Sequence, residues 1–188
     1  NHYLKHEKRH WAVFGDLDNF FDSLNHEKLL AEFQKVVFEP EILALIGMWL
    51  QIGAIDQRGR YHDLEVGIAQ GGIISPLLSN IYAHPLDEFM TSRPDGYVRY
   101  ADNFIALCQE QPQAQECLHA IQTFIQDSMQ VRLNPEKEPI RSLETGFVFL
   151  GVAFQGTQRQ LAPEKIQKIR RKLDWLTAKH RSEPVAKI

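Results

Sequence analysis

A chain of 188 residues can bury one core and suits a single domain, or a domain with an appendage. Hydrophobic residues at 44% and charged residues at 24% are ordinary for a globular protein, and no repeat or low-complexity tract interrupts them. The net charge of −3 hides an asymmetry. Residues 11–158 carry 9 basic and 20 acidic side chains, a net −11, whereas residues 159–188 carry 9 basic and 3 acidic, a net +6. A basic tail on an acidic body fits a body that holds metal ions and a tail that touches phosphates, and a solvated helix face fits the same charges equally well. The longest apolar stretch, 42–55, is broken by Gln51 and too short to span a bilayer, so no membrane partner is expected. No basic-then-apolar leader opens the chain, and a start at Asn1 rather than Met suggests a piece of something longer. Two cysteines make no disulfide framework and point to a reducing, cytoplasmic setting. Cys117-Leu118-His119 has no second half at zinc spacing and reads as surface and core.

Residues 1–10 are polar and His-rich, the stump of a preceding element. The apolar run Trp11-Ala12-Val13-Phe14 then ends abruptly in Gly15-Asp16, a strand that delivers an acid at its end. Asn25 can cap a helix over 26–37, with Leu29, Leu30 and Phe33 at helical spacing. Pro40 opens a second helix, to about 51, whose nearly all-round apolar character predicts burial. Residues 56–66, with Arg58-Gly59-Arg60, read as a polar hairpin or loop. Next, a glycine-rich loop leads into a helix, with Ser75 as the expected N-cap and Pro76 in the first turn. Such a loop lets a backbone approach a ligand, although an ordinary connection explains it as readily. Pro85 is expected to kink or end that helix.

Tyr97 to Cys108 reads as two apolar strands joined by a tight turn, with Asp102-Asn103 at the tip. A carboxylate there is usually only a turn former. A second strand-end aspartate, Asp16, changes the reading, because two such groups side by side chelate hard divalent cations. An amphipathic helix over 112–129 follows, then strands at 131–133, 139–142, 147–154 and about 160–162. Pro163 opens a last helix whose seam of Ile166, Ile169, Leu173 and Leu176 is expected to pack on the body, with Lys165, Lys168, Arg171, Lys172 and Lys179 largely off it. Strands and helices without regular alternation argue an α+β fold with helices on one face of an antiparallel sheet.

These stretches, in this order, resemble the palm of reverse transcriptases of the group II intron-like bacterial lineage. Gly15-Asp16-Leu17-Asp18-Asn19-Phe20-Phe21-Asp22 resembles the first aspartate motif and Gln70-Gly71-Gly72-Ile73-Ile74-Ser75-Pro76 the nucleotide-site motif. Arg99-Tyr100-Ala101-Asp102-Asn103 is similar to the Tyr-Ala-Asp-Asp box. Leu133-Asn134-Pro135-Glu136-Lys137 and Phe149-Leu150-Gly151-Val152 resemble the lysine motif and the primer-grip hairpin. The resemblance implies a palm over 11–158, the end of the fingers over 1–10, and the start of a basic helical thumb over 159–188. It implies catalysis at Asp16, Asp102 and Asn103. Two Mg²⁺ ions, with Mn²⁺ as a substitute, would be held by Asp16, Asp102 and the Leu17 carbonyl. Phe21 would exclude a 2′-hydroxyl, Gln70 and Gly71 would face the incoming nucleotide, and Lys137 would lie near pyrophosphate. Phe149, Leu150, Gly151 and Val152 would support the primer, and Lys168, Arg171 and Lys172 would bind the duplex.

The implied partners are an RNA template, a DNA primer, dNTPs and other domains of a longer parent chain. The short spacing from Asp87 to Tyr100 and the Leu107-Cys108 strand end resemble CRISPR-associated reverse transcriptases, often joined to a spacer integrase. Three departures stand out: Asn103 replaces the second Asp of the box, Ala69 replaces a Pro, and Glu138 replaces a Thr. An RNA-dependent RNA polymerase shares the carboxylate geometry, but the bulk of Phe21 argues against it. A degenerate palm kept as a nucleic-acid-binding or assembly module is the non-enzymatic alternative.

Overall fold

The computed structural model describes residues 9–55, 59–62, 64–135, 138–155 and 158–180. It divides into two compact units, one ending at Arg141 and one starting at Ser142. In the first unit β1 (Trp11–Asp16) leads to α1 (Phe20–Ser23), α2 (His26–Gln34) and α3 (Pro40–Gln51). A small ribbon of β2 (Ala54–Ile55) and β3 (Tyr61–His62) precedes α4 (Ser75–Thr91). The hairpin of β4 (Gly96–Tyr100) and β5 (Asn103–Cys108) follows, then α5 (Gln111–Phe124), which widens into a π-helical turn at Ile125–Met129, and β6 (Ile140–Ser142). The sheet order is β4–β5–β1–β6.

The register of β1 against β5 organises this sheet. The pairing is antiparallel and runs from Trp11 opposite Cys108 to Asp16 opposite Asn103. Side chains alternate between faces, so Val13, Phe104, Ala106 and Cys108 all point into the core shared with Leu78, Leu86 and Met90 of α4 and Cys117 and Ile121 of α5. The other face takes Ala12, Phe14, Asp16, Asn103, Ile105 and Leu107. Helices therefore cover one face, and the acid at the end of β1 projects from the other. Asn25 does cap α2, accepting from the Lys28 N–H at 2.9 Å.

Several expectations are corrected. α3 is not buried all round: Ile46 and Leu50 are inside, whereas Ile42 and Met48 are 47 and 64% exposed and the C-cap residue Ile52 is 60% exposed. Together with Ile73 and Leu77 this outer face is strongly apolar. Ser75 does not cap α4; its buried hydroxyl donates to the Ala69 carbonyl at 2.6 Å and fastens the glycine loop from inside. Pro85 does not end α4, which continues to Thr91 because Ala83, Leu86 and Met90, all fully buried, hold it in the core. The strand expected at 131–133 is a single bridge from Leu133 to Leu17. Of the polar segment 56–66, positions 56–58 and 63 lie outside the described residues, as do 1–8 of the expected stump.

The second unit holds a three-stranded sheet, β7 (Phe147–Phe149), β8 (Val152–Gln155) and β9 (Gln158–Leu161), and α6 (Pro163–His180). The strand expected over 147–154 is a hairpin, turning at Leu150 (φ 51°) and Gly151 (φ 75°). Two successive positive φ values match the twist of the flanking strands. Along α6, Ile169 and Leu173 are 44 and 55% exposed. Among the described residues no helix is long and apolar enough to cross a membrane.

Gly15 gives the sheet a direct test. It pairs with Phe104, and a Cβ there would lie 2.0 Å from the end of that ring. Phe104 is fully buried and cannot swing away. Gly15→Ala should lower stability by about 1–3 kcal/mol through overpacking. Denaturant unfolding should show this, and Gly15→Ala with Phe104→Leu should recover part of the loss.

Candidate active site

β1 and the β4–β5 turn bring the two strand-end aspartates together. Asp16 ends β1, and the Leu17 N–H beyond it donates to the Asp102 carbonyl at 3.0 Å. The turn residue Ala101 has φ 54°, a left-handed conformation that side chains other than glycine adopt at a cost. Asp102 follows it, and β5 begins at Asn103. On the other flank the loop after α5 crosses the end of β1: the Asn134 N–H donates to the Asp16 carbonyl and the Asp18 N–H to the Arg132 carbonyl, both at 2.8 Å.

Asp16, Leu17, Asp18, Phe21, Asp22, Gln70, Gly71, Asp102 and Asn134 line one open cleft of about 460 Å³. Its described lining holds four carboxylates and no cationic side chain. Burial pushes the Asp16 carboxyl above the ordinary carboxylate range. A hydrogen bond from the Asn134 amide (3.3 Å) opposes the shift, and the charges of Asp102 and Asp18 add to it. Asp16 Oδ1 is buried and has no hydrogen-bond partner among the described residues. An orphaned carboxylate oxygen facing like charges, in a set of oxygen donors, fits a hard divalent cation.

The sequence-predicted nucleotide residues share this cleft. Phe21 is half-buried, edge-on to the core residue Phe20 with centroids 6.1 Å apart. The Ile68 N–H donates to the Phe21 carbonyl and the Gly67 N–H to the Leu24 carbonyl, which fixes the glycine loop alongside α1. Gly67 is required there: its φ is 84°, and a Cβ would sit 2.8 Å from the Asp22 backbone. Gln70 is exposed, and its amide nitrogen donates to both oxygens of Asp22 at 3.2 Å.

Asn103 stands opposite Asp16 but does not line the cleft; its amide nitrogen donates to Asp102 Oδ1 at 3.0 Å. Lys137 lies outside the described residues. Phe149, Leu150, Gly151 and Val152 form the hairpin turn of the second unit, where Lys165 Nζ donates to the Leu150 carbonyl at 3.4 Å. Lys168, Arg171 and Lys172 lie exposed along α6. Asp22 and Asn134 went unassigned in the sequence reading. Both fall inside motifs quoted there, and nothing in their spacing marked them as partners of Gln70 and Asp16.

A second cluster, Asp95, Cys108 and Cys117, is wholly buried. The Asp95 carboxylate is already taken by Arg93 Nε at 2.9 Å and Gln113 Nε2 at 2.8 Å, so these groups form a satisfied core network.

With this geometry established, comparison with known proteins decides the family. The family model described as reverse transcriptase (RNA-dependent DNA polymerase) matches residues 1–154. The chain belongs to the reverse transcriptase family. It is 26% identical to the protein YkfC of Escherichia coli (strain K12), over 75% of this chain and 46% of that protein. It is 38% identical to the group II intron-encoded protein LtrA of Lactococcus lactis subsp. cremoris, over 43% of this chain and 13% of LtrA. The chain thus spans less than half the length of these relatives. Its fold is similar to part of the apo telomerase of Candida tropicalis (TM-score 0.63, 14% identity, 85% of this chain and 34% of that one). The telomerase of Candida albicans solved with a fragment of telomeric RNA is also similar (TM-score 0.60, 13% identity, 94% and 37%).

The electrostatics predict a pH effect. Because its folded pKa is raised, Asp16 opposes folding when ionised, and its unfavourable contribution grows as pH rises from about its ordinary value of 3.8 through the folded value. Without metal, Asp16→Asn should raise the melting temperature at neutral pH, and the gain should vanish below the ordinary carboxylate range. Melting curves across pH without divalent ions check this.

Proposed function

We propose that this chain is the palm of an RNA-directed DNA polymerase that extends a DNA primer on an RNA template. The observation that carries the reading is the pairing of Asp16 with Asp102 in one cleft, with an orphaned carboxylate oxygen and no cationic side chain in its described lining. A triphosphate is a polyanion, so such a cleft accepts one only together with divalent cations. Two Mg²⁺ ions held by Asp16, Asp102 and the Leu17 carbonyl would activate the attacking 3′-hydroxyl and neutralise the leaving pyrophosphate.

The chain's own residues would do the positioning. Asn134 and Asn103 hold the two carboxylates through neutral amides and leave their charge available. Gln70, oriented by Asp22, and Gly71 present the nucleotide side of the cleft, with Lys137 assigned to the pyrophosphate end. Phe21 occupies the space beneath the sugar. Phe149 to Val152 would support the primer, and Lys168, Arg171 and Lys172 would meet duplex phosphates. In this assignment the palm runs over 11–158 and the thumb begins at 159. Other domains of a longer protein would complete the grip on template and primer. A role in CRISPR spacer acquisition rests only on the short Asp87 to Tyr100 spacing and the Leu107-Cys108 strand end, and Cys108 is explained by its burial.

The second reading, a weakened palm kept for nucleic-acid binding or assembly, has Asn103 in its favour. Primer extension by the full-length protein separates the two. Extension with dNTPs that is lost in Asp16→Ala and Asp102→Ala, while both variants still unfold cooperatively, supports the polymerase. A folded wild type inert with Mg²⁺ and Mn²⁺ supports the weakened palm.

Phe21→Ala should raise use of rNTPs relative to dNTPs at least several-fold, with dNTP extension only modestly reduced. If the ring serves only the core, the variant should instead lose about 3–5 kcal/mol of stability with unchanged sugar choice. Parallel extension assays and denaturant melts distinguish these results.

A further inference from the structure

The turn that carries Asp102 is fastened from behind by one side chain. Arg99, on β4, donates from Nη1 to the Ala101 carbonyl at 2.8 Å, and Ala101 is the residue held at φ 54°. The rest of its guanidinium is fixed on α4. Nε and Nη2 form a fork on Asp87 at 2.7 and 2.5 Å, and Nη1 also reaches Asn80 Oδ1 at 3.1 Å. Asn80 and Asp87 lie seven residues apart, on the same face of α4 two turns on. The Arg99 side chain is only 9% exposed, so water competes weakly for these bonds.

We propose that Arg99 is a positioning residue for Asp102, clamping the left-handed Ala101 turn to α4 so that the Asp102 carboxylate is held at the metal site before any ion arrives. The proposal rests on the polymerase reading for its activity arm, but the placement of Asp102 is tested by metal binding alone. The chemistry requires arginine. A planar fork can engage a carboxylate along one edge while its remaining N–H groups reach a carbonyl, whereas a lysine ammonium keeps the charge without that geometry. Without this clamp the turn would relax toward an ordinary backbone conformation and carry Asp102 away from Asp16. The Leu17 N–H to Asp102 carbonyl bond and the Tyr100–Asn103 strand pair also restrain the turn, but neither reaches the Ala101 carbonyl that Arg99 ties to α4.

The test uses the full-length protein, with Mn²⁺ as the probe and free Mn²⁺ measured by electron paramagnetic resonance. Asp16→Asn and Asp102→Asn identify the ions bound at this site. Arg99→Lys should lower the affinity of those ions several-fold while the melting temperature stays near that of wild type. Primer extension should fall in kcat by about 10²-fold, the scale of a misplacement near 1 Å, with the dNTP KM nearly unchanged. A merely electrostatic role would instead be rescued by lysine. If Arg99→Lys fails to fold, Asn80→Ala decides. Asn80 is exposed and supplies a single bond, so its loss should weaken Mn²⁺ binding in the same direction by a smaller factor. Wild-type Mn²⁺ affinity in a folded Arg99→Lys protein, or in Asn80→Ala where Arg99→Lys does not fold, overturns the proposal, as does a wild type that binds no Mn²⁺ here. A wild type that binds Mn²⁺ but extends no primer overturns the polymerase reading and leaves the Arg99 inference to the binding result.

Discussion

Two like charges at the ends of neighbouring strands repel, and nothing in the carboxylates themselves would bring Asp16 and Asp102 together. What does so is the register of β1 against β5. A slip of one residue would turn Val13 to the wrong face and take it out of the core it shares with Phe104, Ala106 and Cys108, so burial locks the pairing. Fully burying one such side chain is worth about 1.5–3 kcal/mol, and the residues concerned are 0% exposed. Core packing thus sets the spacing of charges that would otherwise separate. Gly15 belongs to the same arrangement, since only the absence of a side chain there lets Phe104 lie across the last turnless stretch of β1.

Among the described residues, the side chains that donate to Asp16 and Asp102 are neutral amides. Asn134 and Asn103 donate amide protons to Asp16 and Asp102, and Arg99, the nearest guanidinium to the turn, meets Asp87 and a backbone carbonyl. Had Arg99 paired with Asp102, the ion pair would satisfy the carboxylate and compete with any metal. Directing that charge into Asp87 holds the turn while leaving Asp102 open. At Asp16, burial and the charges of Asp102 and Asp18 outweigh the hydrogen bond from Asn134, which is why its carboxyl lies above the ordinary carboxylate range.

The carboxylate pair was legible because strand and turn signals are local. An apolar run ending in Asp16 and a hairpin with Asp102 at its tip each need only neighbouring residues to be seen. Asn25 as a cap and the glycine loop before α4 were legible for the same reason. What escaped depends on tertiary context. The composition of α3 looks like a fully buried helix, yet only one face meets the unit, and composition carries no information about which neighbours are present. Pro85 loses one helical bond, but three fully buried residues around it outweigh that local loss. Ser75 has the residue type of a cap, and its hydroxyl was claimed by a carbonyl six residues earlier. The contacts of Asp22 with Gln70, and of Asn134 with Asp16, span 48 and 118 residues, beyond any local pattern.

Asn103 is the position where composition and geometry bear on each other most closely. A carboxylate there would sit opposite Asp16 and next to Asp102, adding a third charge to a pair that is already repulsive. The amide reverses the local sign of the interaction, because its N–H₂ donates to Asp102 Oδ1 where a second carboxylate would repel it. The substitution therefore stabilises the metal-free turn and lowers the negative charge available to an ion, two effects of opposite consequence. Asp16 and Asp102 remain as charged oxygen donors, and Leu17 lines the same cleft. A divalent ion bound there would lose only one of three charges that could attract it, and the turn would need less help from that ion to stay in place. Preorganisation then rests on hydrogen bonds from Asn103 and Arg99, where a site with three carboxylates would depend on the metal itself to overcome their repulsion.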